Sequence, residues 1–334
     1  MRDNEGVGEM SSRSGAIDGV RVLGIVAVVA GHTLNTSLVR PLFFTWHVPL
    51  FFFLAGYFWS DRRTLTEELS KRVGTLGLPY VSWMLLIAVP FVLLDATLEK
   101  FSIGRLLGPF YNGEQSAMPY TTFWFVSALF FTVMLLRLLG RFPPVVVWAV
   151  GAAGSLLGYV AGNTLAQTPL SIGSAFPCLI FVLLGTFAAQ MRSRIAKPAL
   201  LGSVLMAVSA ALIATGIDSP LDIKVGNFGT PVVSVLVAAA ISFALVLLTE
   251  VTFSHLPKLV SGLATQFAYA GFTVVLVHPL VLWLMLRFFP TVPDWTIFAL
   301  ALTVPWLLGV LSIRTAASQW LTGTKRLKST RAIT

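Results

Sequence analysis

The sequence predicts an all-α fold: one polytopic transmembrane helical bundle of about ten helices, with both termini on the cytoplasmic side. Three observations carry this reading. Of 334 residues, 56% are hydrophobic and only 11% charged, with a mean hydropathy of +0.84, whereas a soluble domain carries about 25% charged residues. Apolar stretches recur along the chain, each near the ~20 residues needed to cross a bilayer. The basic residues also sort by side, as loop charge in membrane proteins does. With the N-terminus inside, the outer segments hold only Arg40, Lys100, Arg105, Lys224 and Arg287, and nearly all other Lys and Arg fall inside.

Taken in order, residues 1–14 are a polar arm expected to be disordered. The spans are read at 15–36, 41–60, 78–98, 120–139, 144–162, 174–190, 198–216, 230–251, 266–287 and 295–315, so that 15–315 forms one transmembrane domain. The first span follows the polar arm without a small-residue cleavage site and reads as a retained signal anchor. The stretch 99–119 carries Gly104, Gly108, Pro109, Gly113 and Pro119. It reads as the longest outer loop, either covering a cleft or simply connecting. Gly154, Gly158 and Gly162 stand four apart on the fifth span, a small-residue stripe for close helix packing. Residues 316–334 form a basic cytoplasmic tail that leaves no room for an appended soluble domain. Its 325–331 run suits an anionic membrane lipid surface.

Several function classes drop out. The net charge of +9 is scattered through short loops, so it speaks for lipid contact and not for nucleic acid. Cys178 is the single cysteine, which excludes an intrachain disulfide and argues against a thiolate metal site. The four histidines are widely separated, without the short spacings of a zinc site, so no metal is expected. There is no Gly-rich phosphate loop and no G-x-S-x-G elbow.

What remains is a set of ionisable groups inside apolar spans, where each is costly and a candidate for function. Asp18, Arg21 and His32 lie on the first span. Arg21 and His32 are eleven residues apart, about three turns, so both project from one face roughly 16 Å apart along the axis. Asp18 and Arg21 are spaced to pair. Neutral imidazole can take a proton near working pH, which makes His32 a candidate base; a histidine bridging two helices is the plain alternative. Arg21 offers a fork for phosphate or carbonyl, or else only sets topology. His47, near the start of the second span, falls at a depth similar to His32. The two could act around one hydroxyl, one as base and the other as oxyanion donor or orienter. Lys71 and Arg72 sit just inside the third span. His278 precedes Pro279, which lacks an N–H and frees a backbone carbonyl. Trp124 either stacks on a sugar ring or stands in the interfacial aromatic belt.

The pattern D-G-x-R at 18–21, ten residues, then G-H at 31–32, followed by H-V-P-L-F-F-F-L-A-G-Y at 47–57, resembles the membrane-bound acyltransferase family 3, in its fucose O-acetylase-like and O-antigen acetylase-like branch. Further matches lie at Arg72 with Pro79-Tyr80, at Phe123-Trp124-Phe125 and at Val277-His278-Pro279. The family often has two arginines three apart before the third span; here the second position is Thr75. The resemblance implies O-acyl transfer, usually of acetyl, from cytoplasmic acyl-CoA to an exported carbohydrate or glycolipid. In that scheme His32, His47 and Asp18 are catalytic, Arg21, Lys71 and Arg72 contact the acetyl-CoA donor, and Trp124 and His278 meet the acceptor. A bacterial inner (cytoplasmic) membrane location is expected. Buried Arg and His suit a proton-coupled transporter or flippase of a lipid-linked glycan as well, although no broken segments recur in two matching halves. A scaffold with a decayed site is the third alternative.

Overall fold

The computed structural model describes residues 15–98, 103–111 and 116–327. The N-terminal arm and the tail from 328 onward lie outside the described residues. The helices are α1 (Gly15–Thr33), α2 (Pro49–Tyr57), α3 (Leu65–Arg72), α4 (Leu78–Leu98), α5 (Ile103–Tyr111), α6 (Phe123–Leu139), α7 (Pro144–Ala166), α8 (Ala175–Arg192), α9 (Pro198–Ala214), α10 (Val233–Ser254), α11 (Lys258–Phe288), α12 (Asp294–Ser312) and α13 (Ser318–Thr322). Among the described residues there is no strand, and one isolated bridge pairs Asp222 with Asn227. Among the described residues, seven helical rods are long and apolar enough to cross a membrane, and α6 and α9 are shorter apolar helices. The chain is an all-helical integral membrane bundle.

Helix starts follow local chemistry. Pro49, Pro144 and Pro198 each sit in a first turn, where a missing N–H costs nothing. Thr64 opens α3 with a capping box: its hydroxyl accepts from Glu67 N–H, while its own N–H donates to the Glu67 carboxylate at 2.7 Å.

Three segments differ from the sequence reading. The expected span 41–60 is broken into a π-helical turn at Arg40–Phe44 and the short α2; Pro41 and Pro49 remove two backbone donors from what hydropathy counts as one rod. The expected loop 99–119 contains a helix, α5, because Ile103, Leu106, Leu107 and Phe110 recur at helical spacing despite Gly104, Gly108 and Pro109. The segment after 315 is also built into the bundle. Trp83 Nε1–H and the Thr273 hydroxyl both donate to the Leu321 carbonyl, at 2.8 and 3.1 Å, and Leu327 N–H returns to Ile313 O at 2.9 Å.

α1 is the centre of the arrangement, packed against α10, α11 and α12, while α2 packs on α8 and α9 on α10. The expected glycine stripe of α7 is its contact surface. A Cβ on Gly154 would stand 2.3 Å from Phe176 O, and one on Gly158 2.8 Å from Pro177 Cβ. At Gly162 it would stand 2.0 Å from Gly226 O, so α7 touches the α9–α10 loop backbone to backbone. Ala161 leaves helical geometry immediately before this contact.

Near the other end, α3 and α6 are joined by a buried carboxylate. Glu68 is fully buried; Arg72 Nε lies 2.7 Å from Oε1, and Arg63 and Arg137 approach Oε2 at 3.2 and 3.5 Å. Arg137 also donates to Ser60 O and stacks on Trp59 at 4.0 Å. A buried carboxylate holds its charge only when paired in this way.

Candidate active site

The last turn of α1 delivers His32 to a cavity of about 300 Å³. Its walls come from five places in the chain. Val28 and His32 belong to α1; Arg40, Phe44, His47, Val48 and Phe51 to the segment that enters α2; Thr121, Thr122, Trp124 and Phe125 to the start of α6; and 221–225 to the α9–α10 loop, with Val275 of α11 completing the lining.

The loop wall is tied down at several points. Lys224 Nζ donates to Ser116 O at 2.8 Å and to Thr121 Oγ1 at 2.7 Å. Arg40 pairs with Asp222 at 3.1 Å, and the buried Thr45 hydroxyl donates to Asp218 Oδ2 at 2.7 Å. The contact between Gly226 and Gly162 holds the same loop from behind. A loop built around the short 3-10 turn Ile223–Val225 thus carries an ammonium and an ion pair to a definite place.

On the helical wall, the proline after His278 has a traceable consequence. Pro279 cannot donate to Val275 O, four residues back, and Thr122 Oγ1 donates to that carbonyl at 2.8 Å instead. This bond fixes the start of α6 against α11 and so places Trp124, which is buried and faces the cavity, not a lipid belt. His278 Nδ1 lies 2.8 Å from Val274 O. A carbonyl only accepts, so Nδ1 carries the proton and Nε2 of the neutral ring has the lone pair. The His32 and His278 ring centroids are 5.4 Å apart.

His47 is held in the same manner, with Nδ1 2.6 Å from Phe43 O and the ring edge-on to Phe44 at 5.0 Å. Its neutral ring therefore also offers a lone pair at Nε2, and in that state it is an acceptor and not an oxyanion donor. Among the described residues the histidines do not gather into a metal-ligand set.

Of the residues singled out by sequence, His32, His47 and Trp124 line one cavity and His278 stands against His32. Asp18 and Arg21 form the expected pair, Nη1 to Oδ1 at 2.6 Å, with Asp18 buried and Arg21 lying over the Phe58 ring at 5.3 Å. They do not line this cavity. Val28 does, and it sits on the stripe between Arg21 and His32, so about 10 Å of helix separates the cavity floor from Arg21. Arg72 is engaged by Glu68, and Lys71 is exposed on α3. Sequence reading missed Lys224, Thr121 and the Arg40–Asp222 pair. It counts Arg40 and Lys224 only as loop charges, because nothing local in 216–231 says where that loop docks.

The arrangement supplies an imidazole against a small, half-polar chamber with hydroxyls, an ammonium and a buried indole, which is what a hydroxyl acceptor needs for proton removal and positioning. Comparison with known proteins points the same way. The sequence matches the acyltransferase domain family over residues 14–315. It is also similar to nodulation protein NolL of Mesorhizobium japonicum, 28% identical over 189 residues, covering 52% of this chain. That match spans about half, 48%, of the relative's length. No solved structure shows significant similarity. With most of its length and its helical architecture accounted for, the chain belongs to the acyltransferase family 3.

Proposed function

We propose that this acyltransferase moves an acyl group, acetyl in the simplest case, from acyl-CoA to a hydroxyl of a carbohydrate or glycolipid, with His32 as general base. The observation that carries the reading is the cavity at the His32 end of α1: an imidazole that makes no hydrogen bond to another described side chain or backbone group, beside a buried indole and hydroxyls. The His47 and His278 rings are each committed at Nδ1 to a backbone carbonyl, which fixes their tautomer and leaves Nε2 to act.

In the proposed cycle a neutral His32 takes the hydroxyl proton as the hydroxyl oxygen attacks the thioester carbonyl. The oxyanion that forms is met by the field of the Lys224 ammonium, which is held in the cavity wall. The C–S bond then breaks, and the departing thiolate takes the proton from the His32 imidazolium. His47 offers a lone pair to a second hydroxyl of the acceptor, and Trp124 an apolar face. Positive-inside charge sorting places Arg21 towards the cytoplasm and the cavity towards the far side. In that orientation Arg21 attracts the donor at its own end. The donor's thioester arm, and not its phosphates, reaches along α1 past Phe58 and Phe51. The location that fits this topology is a bacterial inner membrane.

The test is mass spectrometry of surface glycans and glycolipids from cells with and without the chain. The reading expects a species that loses one acetyl mass when the chain is absent. Identical profiles, combined with transport of labelled glycan without acyl-CoA consumption, would replace it with the transporter reading.

A further inference from the structure

His278 is fully buried, and its Nε2 is a buried atom with no hydrogen-bond partner among the described residues. Such an orphan in a core is costly and calls for a partner. Its ring cannot turn to find one, because Nδ1 is committed to Val274 O at 2.8 Å. The helix around it is pinned as well, through Thr122 on Val275 O at 2.8 Å. Opposite stands His32, with ring centroids 5.4 Å apart and the planes tilted by 41°. His32 is half-buried at the cavity and makes no hydrogen bond to a described residue, so its N–H can be offered across the gap. One ring is fixed and presents a lone pair; the other is unanchored and has a proton to give. Catalytic hydrogen bonds are often long in an unliganded site and tighten when substrate arrives.

We propose that His278 is a positioning residue that accepts the N–H of His32 at its own Nε2 and thereby fixes the His32 tautomer. The proposal rests on the reading of His32 as general base. One His32 nitrogen is then committed as donor to His278. The other keeps its lone pair for the acceptor hydroxyl. As the hydroxyl proton moves to that second nitrogen, the oxygen electron pair forms the new C–O bond, and the imidazolium shares its charge with the His278 lone pair. When the C–S bond breaks, the thiolate takes the proton back and the same tautomer is restored. No proton passes to His278.

The test uses the full chain in lipid nanodiscs with 15N-labelled histidine, of which there are four. Wild-type protein should show His32 as a single tautomer, and a through-hydrogen-bond 15N–15N correlation between His32 and His278. In His278→Leu the tautomers should mix, and kcat should fall by about tenfold or more, with KM for donor and acceptor unchanged. His278→Gln, whose amide oxygen can stand where Nε2 stood, should recover most of kcat. A tautomer mixture in the wild type, an unchanged single tautomer in folded His278→Leu, or equal kcat loss in folded Gln and Leu variants would overturn the proposal. Full turnover in His32→Gln would instead remove the general-base reading, and the nitrogen correlation would still decide the contact.

Discussion

Gly162→Ala should weaken catalysis from behind the cavity, without changing any atom that lines it. The added Cβ would sit 2.0 Å from Gly226 O and 3.0 Å from Gly226 C. Ordinary contact needs roughly 3.5 Å, so the loop backbone must retreat by about 1.5 Å. Neither side can yield by turning a side chain, because both partners are backbone. Overpacking of this kind costs about 1–3 kcal/mol of stability. The same shift moves 222–225 relative to α6 and disturbs the Lys224 bonds to Ser116 O and Thr121 Oγ1, at 2.8 and 2.7 Å, by more than hydrogen-bond geometry tolerates. A charged hydrogen bond is worth about 1.5–3 kcal/mol, so kcat/KM for acyl transfer should fall by roughly 10–100-fold. Gly154→Ala is the control: its Cβ meets Phe176 O at 2.3 Å, which strains α7 against α8 and lowers the thermal midpoint while leaving the loop in place. If the Gly162 effect runs through Lys224, the double variant Gly162→Ala/Lys224→Met should be no worse than Lys224→Met alone. Purified protein in nanodiscs, assayed with labelled acetyl-CoA, measures all four variants. Wild-type turnover in folded Gly162→Ala, or additive losses in the double variant, would refute the reasoning.

Other consequences can be checked in the same preparation. Glu68→Gln leaves Arg72 and Arg137, with side chains only 14% and 8% exposed, without their compensating charge; stability should drop by about 3–5 kcal/mol, read as a large fall in thermal midpoint or in folded yield, and an unchanged midpoint would contradict the account of that junction. Thr122→Val keeps the shape but removes the donor to Val275 O, leaving a buried carbonyl unsatisfied; unfolding in detergent should show a loss of about 1–3 kcal/mol, with turnover reduced because Trp124 is no longer held in place.

The parts of this molecule legible in its sequence are those governed by a period along one helix. The i,i+3 pairing of Asp18 with Arg21, the four-residue glycine stripe of α7 and the carbonyl freed by Pro279 are all short-range geometry, and each has its contact in the structure. The shared cavity of His32 and His47 was legible as common depth, because both flank one short turn between spans. What escaped is set by contacts between distant segments. Lys224 reaches the cavity through a loop that rests on Gly162 and is tied by Arg40 and Thr45, and Arg137 meets Glu68 because α3 and α6 run side by side. Hydropathy counts apolar residues but is blind to missing N–H groups, so it joined the π-helical turn and α2 into one span. Glycine and proline content hid α5, whose apolar residues nevertheless repeat with helical spacing.

The most direct measurement is single-turnover acyl transfer by His32→Gln, from labelled acetyl-CoA to a carbohydrate acceptor, alongside donor binding to the same protein. A lost general base predicts a rate lower by about 10²–10⁴-fold, with donor affinity and thermal midpoint unchanged because Arg21 and the packing of α1 are untouched. Transfer at the wild-type rate would show that the proton leaves by another route and that the imidazole at the end of α1 is not the base.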